Sequence, residues 1–381
     1  MPAGHYHREG RSGEGGELTH HPTRAAGMVH THAWLGAHVT KKIGYLSFGH
    51  WSNSPYSQAR SGADTLLQAI ELAVMAEELG IDGAYYRVHH FAQQHGVPYP
   101  LLAAVAARTS RIEIGTGVID MRYENPLYAA AEAATTDLIS GGRLQLGISR
   151  GSPEQVIDGF RYFGYQPAED DPDGAQMARD SFEVFLKAIS GARFAEPNPR
   201  PMFPNPHPGP LGIQPQSPGL RDRIWWGAGN RKTAEWAAEL GVNLQSSTLV
   251  VHESNEPFHV QQRKQIEAYH AKWAELGHER TPRVSVSRSI FALVDDQDWQ
   301  LFGRDRSSQD QIGGIPGTGQ AIFGRSYAGA PDELIEELKQ DEALQLADTV
   351  LLTIPSQLGP DYNAHALEAI LKYVAPGLGW R

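Results

Sequence analysis

The sequence predicts an α/β fold, a (β/α)₈ TIM barrel with insertions, and three stretches carry that expectation. Tyr85 to Phe91 reads Tyr-Tyr-Arg-Val-His-His-Phe, a β-prone run that ends in two histidines. Arg111 to Ile119 repeats the plan around Gly115, Thr116 and Gly117. Gly142 to Ile148 gives a third copy, which runs into Ser149, Arg150 and Gly151. Helix-length segments return the chain between these runs. In a barrel of this kind, the C-terminal edge of the strands is where catalytic groups collect.

The elements follow in order. Ile43–Phe48 reads as the first strand, with Gly49, His50 and Trp51 at its C-terminal end. Asp64–Leu79 is an amphipathic helix with Leu67, Ile70, Val74 and Leu79 near one face, and Gly80 stops it. Gly83–Arg87 is the second strand, Tyr99–Thr109 a helix and Ile112–Thr116 the third strand. Leu127–Ile139 is helical, closed by Gly141 and Gly142, and Arg143–Ile148 is the fourth strand. A helix over Met177–Ile189 precedes a proline-dense excursion from Glu196 to Leu220, which excludes regular helix and central strand. Arg223–Trp226 and Val242–Ser246 are the fifth and sixth strands, and helices follow over Lys232–Leu240 and Glu256–Leu276. Arg283–Val294 alternates as the seventh strand, and Asp348–Ile354 is the eighth, before a closing helix over Ala364–Val374. Between the seventh strand and a helix opening at Pro331, the glycine-rich stretch from Asp295 to Gly329 reads as a long loop. Loops of that length are commonly functional or mobile, and this one is expected to act as a lid over the catalytic face. A doubly wound open sheet is the alternative that tolerates the same alternation.

Composition bounds the function. The chain has 381 residues, long for one domain but within reach of barrels of ~250 residues that carry insertions. A net charge of −11 argues against a nucleic-acid partner, because phosphate backbones need a basic face. With no cysteine there are no disulfides, thiolate metal sites or cysteine nucleophiles, which fits a cytoplasmic protein. No apolar run approaches the ~20 residues that span a bilayer. Residues 1–40, rich in glycine and histidine, are expected to be a disordered leader, and 41–381 a single domain. The leader's scattered histidines make no metal site, and none is expected elsewhere.

Two places carry chemistry by residue type. Gly227 to Thr233 combines a strand end, small residues and a helix start that Asn230 can cap, a geometry suited to an anion. An ordinary capped helix has the same pattern. It is not a dinucleotide fingerprint: the third glycine is missing, and no acidic residue lies about twenty positions on. His89 and His90 titrate near neutrality and can move protons. As neighbours on a strand they point to opposite faces, one toward the mouth and one outward. Two buried structural histidines would look alike. His50 and Trp51 are expected to line the same mouth and meet substrate. Glu124, after the third strand, reads as solvated loop.

Taken together, Val-His-His-Phe, Ile-Glu-Ile-Gly-Thr-Gly, Gly-Gly-Arg-Leu-Gln-Leu-Gly-Ile-Ser-Arg-Gly and Trp-Gly-Ala-Gly-Asn resemble, in order, the bacterial luciferase-like flavin-dependent monooxygenases. The resemblance covers roughly residues 43 to 375. It implies a barrel, usually dimeric, that holds a flavin at its C-terminal mouth. Users of FMN and of the deazaflavin F420 share this fold. By position, Gly229, Asn230 and Thr233 match the family's phosphate loop, and Arg150, beside Ser149, matches its phosphate-contacting arginine. Gly117 and Val118 match a strand end that passes behind the flavin ring, often with a non-proline cis peptide. His89 aligns with the family's catalytic histidine. Three departures stand out. Gly229 and Gln176 replace an acidic residue and a second arginine, for which Arg179 is a substitute one turn on. Val88 replaces the glutamate that usually precedes the histidine.

The resemblance implies an enzyme that uses reduced FMN and O₂ to oxidise a small organic substrate, fed by a separate flavin reductase. F420-dependent hydride transfer, or a non-catalytic flavin-binding paralogue, are the alternatives.

Overall fold

The computed structural model describes residues 40–381, apart from 152–153, 201–202, 204–208, 305 and 316–318. The expected leader therefore lies outside the described residues, save for Thr40. Eight strands form the barrel: β1 (Lys42–Ser47), β2 (Gly83–Tyr86), β3 (Glu113–Thr116), β4 (Leu144–Ser149), β5 (Ile224–Ala228), β6 (Asn243–Ser246), β7 (Val284–Ala292) and β8 (Thr349–Ile354). Each pairs in parallel with the next, and β8 pairs with β1, so the sheet closes on itself. An open doubly wound sheet is thereby excluded.

The outer layer consists of α1 (Gly62–Leu79), α2 (Pro98–Arg108), α3 (Pro126–Ser140), α4 (Ala175–Ile189), α5 (Arg231–Glu239), α6 (Phe258–Glu275), α7 (Pro331–Lys339) and α8 (Gly359–Ala369). Their boundaries follow from local chemistry. Ser61 accepts from Asp64 N to start α1, and Gly80 ends it at φ 90°, where a side chain would be strained. Asn125 caps α3 in the same way, and Gly141 ends it at φ 71°.

Alternation along each strand divides the core in two. On β1, Ile43 and Tyr45 pack outward against the helices, while Leu46 joins Tyr85 and Leu351 in a separate interior cluster. Polar pairs share this interior: Trp225 Nε1 donates to Gln145 Oε1 at 2.9 Å. The N-terminal end of the barrel is sealed by ions. Arg283 forks onto both oxygens of Glu113 at 3.0 and 3.1 Å, lies over Trp225, and reaches Asp348. Lys42 also bonds Glu113. The barrel is therefore closed below, and its open end is the C-terminal mouth.

The stretch from Asp295 to Gly329 is not the open loop expected from its glycines. It holds a short helix (Asp296–Phe302), a hairpin (Gln311–Ile315 with Gly319–Phe323) and a strand (Ser326–Gly329) parallel to β7. The hairpin pairs with Leu249–Val251, just beyond β6, and forms a three-stranded sheet. Val250, Phe258 and Ile322 make its own small core. Glycines at 313, 314 and 319 mask the two-residue period that marks a strand. Among the described residues, the proline-dense excursion carries no central strand, and a short pair joins Arg193–Ala195, just before it, to Leu211–Gly212 within it. Among the described residues, no helix is long and apolar enough to cross a membrane.

Candidate active site

Above the interior cluster lies a cavity of about 720 Å³, bordered by the C-terminal ends of the strands and the loops beyond them. That volume suits a drug-sized ligand. Leu46 and Leu351 reach it from below, and Gly117, Val118, Trp226 and Gly227 form one wall. The Gly117–Val118 peptide is cis, as the resemblance implies. Close approach explains the small residues. A Cβ on Gly227 would sit 3.0 Å from Val118 Cγ1, and one on Gly147 would sit 2.3 Å from Thr116 O. A thin wall of this kind lets a flat ring come close to backbone.

One end of the cavity is cationic and meets a helix N-terminus. Asn230 Oδ1 accepts from Thr233 N at 2.8 Å, capping α5, and Gly229, Asn230, Lys232 and Thr233 border the cavity. The positive end of a helix dipole therefore faces inward. Arg150 borders the same space, with its guanidinium 2.7 Å from Asp173. Arg179 joins from α4, over the Trp236 ring at 5.0 Å. Arg122 lies nearby, held by Asp120 at 2.6 Å. Ser149 ends β4, and its Oγ accepts from Gly151 N at 2.7 Å. Including Arg87, five cationic side chains border the cavity against three carboxylates, Glu154, Asp158 and Asp173. In a chain of charge −11 this is a local reversal of sign. The cofactor residues expected from sequence, Gly117, Val118, Ser149, Arg150, Gly229, Asn230 and Thr233, thus come together around one space.

The histidines are arranged differently from the expectation. β2 ends at Tyr86, so His89 and His90 lie in the loop beyond it, and strand alternation does not set their directions. Both are half-buried. His90 packs on Tyr123 and Phe163, with ring centres 4.7 and 5.0 Å away. His89 Nε2 accepts from Arg87 Nε at 2.9 Å, which leaves the ring's proton on Nδ1. That atom lies 3.7 Å from Glu154 Oε1. Burial, then the Arg87 charge, pushes His89 down to about 4. Arg87 and Glu154 border the cavity, and His89 stands behind them. His50 and Trp51 also stand back from it. His50 stacks on Phe48, which does border the cavity, at 5.7 Å. Trp51 packs near Gly62.

Glu124 corrects another expectation. It is half-buried rather than solvated, and burial with Glu132 nearby pushes its carboxyl up to about 7. Sequence reasoning also missed Arg87, Glu154, Lys232 and the wall from Ser247 to Val251. Arg87 stood inside the quoted motif, and Glu154 lay four residues beyond Arg150, but neither position carries a pattern of its own. Among the described residues, Asp295, Asp298 and His365 come close enough to share a cation. Asp295 caps the short helix there, Asp298 completes its capping box and accepts from Val294 N and Tyr362 Oη, and none of the three borders the cavity.

Comparison with known proteins agrees with this fold. The family model described as luciferase-like monooxygenase matches residues 42–306. The oxygenase component of a flavin-dependent trigonelline monooxygenase from Acinetobacter baylyi is 24% identical over 336 residues, 81% of this chain and 89% of that one. A Sinorhizobium fredii protein is 31% identical over 215 residues, but the match spans only 56% of its length. Among solved structures, the monooxygenase RslO1 from Streptomyces bottropensis has a TM-score of 0.66 at 21% identity, covering 88% of this chain and 99% of its own. The oxygenating constituent of 3,6-diketocamphane monooxygenase from Pseudomonas putida, in complex with FMN, has a TM-score of 0.61 at 20% identity, with coverage of 88% and 98%. An F420-dependent secondary alcohol dehydrogenase shares the fold at a TM-score of 0.60 and 14% identity, with coverage of 89% and 99%. With the family model matching well over half of its residues, this chain belongs to the luciferase-like monooxygenase family of enzymes.

Proposed function

We propose that the protein is a flavin-dependent monooxygenase that uses reduced FMN and O₂ to oxidise a small organic substrate. The observation that carries this reading is one cavity with a cationic, helix-capped end and a thin glycine wall, the two surfaces a phosphorylated flat ring needs. Arg150, Arg179, Lys232 and the N-terminus of α5 suit a terminal phosphate, with Gly229, Asn230 and Thr233 giving backbone access. Gly117 and Val118 suit the ring face, with Ser149 at its edge. Bound there, a reduced flavin supplies the electrons and the reaction with oxygen. The remaining tasks fall to side chains. Leu46, Phe48, Trp226 and Leu351 exclude water, and His89, with Arg87 and Glu154, governs protonation at the mouth. His50 and Trp51 act on substrate indirectly, through Phe48 and the loop they stiffen.

A separate reductase is the proposed source of reduced flavin. This chain shows no dinucleotide fingerprint at its phosphate loop, and the Acinetobacter relative is named as an oxygenase component. A homodimer is proposed because α1–α3 and their caps expose Leu67, Val97, Tyr128 and Ile139, a concentration of apolar surface on neighbouring helices. The setting is taken to be cytoplasmic.

The F420 neighbour keeps hydride transfer as a second reading. Fluorescence titration with FMN, riboflavin and F420 separates the two, followed by mixing the reduced complex with O₂. Preference for FMN over riboflavin, and a transient absorbance absent from free reduced FMN, is the expected result. Tight F420 binding without oxygen reactivity would replace the first reading by the second.

A further inference from the structure

The loop after β4 supplies a carboxylate that no strand end provides. Glu154 borders the cavity, and its side chain is only 10% exposed. Two other elements approach it, the first through a hydrogen bond. Tyr123, in the single turn after β3, donates its phenol to Glu154 Oε2. His89, in the loop after β2, directs Nδ1 toward Oε1 at 3.7 Å. Arg87 fixes the far side of that imidazole through Nε2, so the ring's proton faces Glu154. Val88 is buried and brings no carboxylate of its own to this place. Around the cluster, Asp120 and Arg122 act on Glu154, and His50 and His90 on His89.

We infer that Glu154 is the group that exchanges protons with the bound substrate or cofactor, and that Tyr123, bonded to Oε2, and His89, whose Nδ1 faces Oε1 from 3.7 Å, are positioning residues. The inference rests on reading the cavity as a flavin site. The step moves one proton and no electrons. Neutral Glu154 gives its proton to a basic oxygen or nitrogen of the bound molecule and becomes a carboxylate, which the Tyr123 O–H and His89 Nδ1–H stabilise. The reverse transfer restores it. Burial holds the Glu154 carboxyl above the usual range, closer to neutrality, where an acid–base group is most effective. His89 is neutral at pH 7 and already engaged through Nε2, which suits it to orienting the carboxylate.

Histidine-selective ¹⁵N labelling of the full chain tests the pairing without any ligand, with His89 assigned through His89→Asn. The expected wild-type ring carries its proton on Nδ1 and shows a chemical-shift step, above the ordinary carboxylate range, as Glu154 titrates. Glu154→Gln should abolish the step and Glu154→Asp retain it. A second arm uses FMN as the probe and follows air reoxidation of the photoreduced complex across pH. Glu154→Gln should change the rate by ~10²-fold or more and flatten its pH dependence. Affinity for oxidised FMN should stay within about threefold. Glu154→Asp should recover most of the rate. A Glu154→Gln protein with the wild-type pH profile, or a His89 ring with no step, overturns the inference. Failure of the wild type to bind FMN or F420 would instead overturn the cofactor reading, leaving the labelling arm to judge Glu154.

Discussion

Arg150 lies 2.7 Å from Asp173, and both side chains border the cationic end of the cavity. The arginine's charge is thus shared before any ligand arrives. A phosphate must join this ion pair or displace it, and Asp173 opposes it in either case.

Arg150→Ala is expected to weaken FMN far more than riboflavin. A lost charge-assisted contact costs on the order of 1.5–3 kcal/mol, about ten- to a hundredfold in affinity. Asp173→Asn should act in the opposite direction, tightening FMN about two- to fivefold, since the pair is half exposed and screened. Titrations with both ligands at two salt concentrations check the two outcomes. Equal effects on FMN and riboflavin would make Arg150 a structural residue.

Ile322→Ala should loosen the hairpin without unfolding the barrel. Ile322 is buried only with Val250 and Phe258, and the strand it braces carries Leu249 and Val251 into the cavity wall. Truncations of this kind cost ~2–5 kcal/mol in a well-packed core, and here the loss falls on a small satellite cluster. The expected result is faster proteolysis between Gln311 and Phe323 and weaker FMN binding, with little change in melting temperature. A large fall in melting temperature would tie the hairpin to the main core.

Gly147→Ala should destabilise the whole barrel. A Cβ there would lie 2.3 Å from Thr116 O and 2.3 Å from Gln245 Oε1, and the first is backbone that cannot swing away. Overpacking of this order costs ~1–3 kcal/mol. Thermal denaturation is the check, and an unchanged midpoint would mean that β3 and β4 can separate.

Stability should fall on acidification, and His95 should account for part of it. His95 is 1% exposed, its ring nitrogens have no hydrogen-bond partner among the described residues, and burial, then His50, pushes its pKa down to about 4. The unfolded chain, near 6.5, therefore binds the proton that the folded chain refuses. Stability is full above the unfolded value, declines as pH falls from about 6.5 to about 4, and levels off below. The loss is on the order of 3 kcal/mol. Urea midpoints between pH 7 and 4 should fall less steeply for His95→Leu than for the wild type. Identical slopes would remove His95 from the account.

Much of this architecture is legible in the residues, for a physical reason. Parallel strands are covered on both faces, so runs such as Leu144–Ser149 and Thr349–Ile354 are almost continuously buried and carry branched or aliphatic residues at most positions. The proposed phosphate loop could be read for a similar reason: a strand end, two glycines and a capping asparagine are local in sequence. What resisted reading depends on distance along the chain. Glu154 meets His89 across 65 positions, and Arg179 reaches the cavity from a helix that its own sequence describes only as amphipathic. The directions of His89 and His90 escape the two-residue alternation because β2 stops three residues before His89 and leaves both in a loop. In the hairpin, glycines erased the alternation, and pairing with Leu249–Val251 restored an order that no single segment announces.

The Arg283–Glu113 fork that plugs the lower end makes the barrel a blind vessel. A vessel with one mouth would impose a stack discipline: whatever settles deepest would arrive first and depart last. A flavin lying against Gly117 and Leu46 would be loaded before its substrate and trapped until product clears. Turnover would then be set as much by the traffic through one doorway as by the chemistry within.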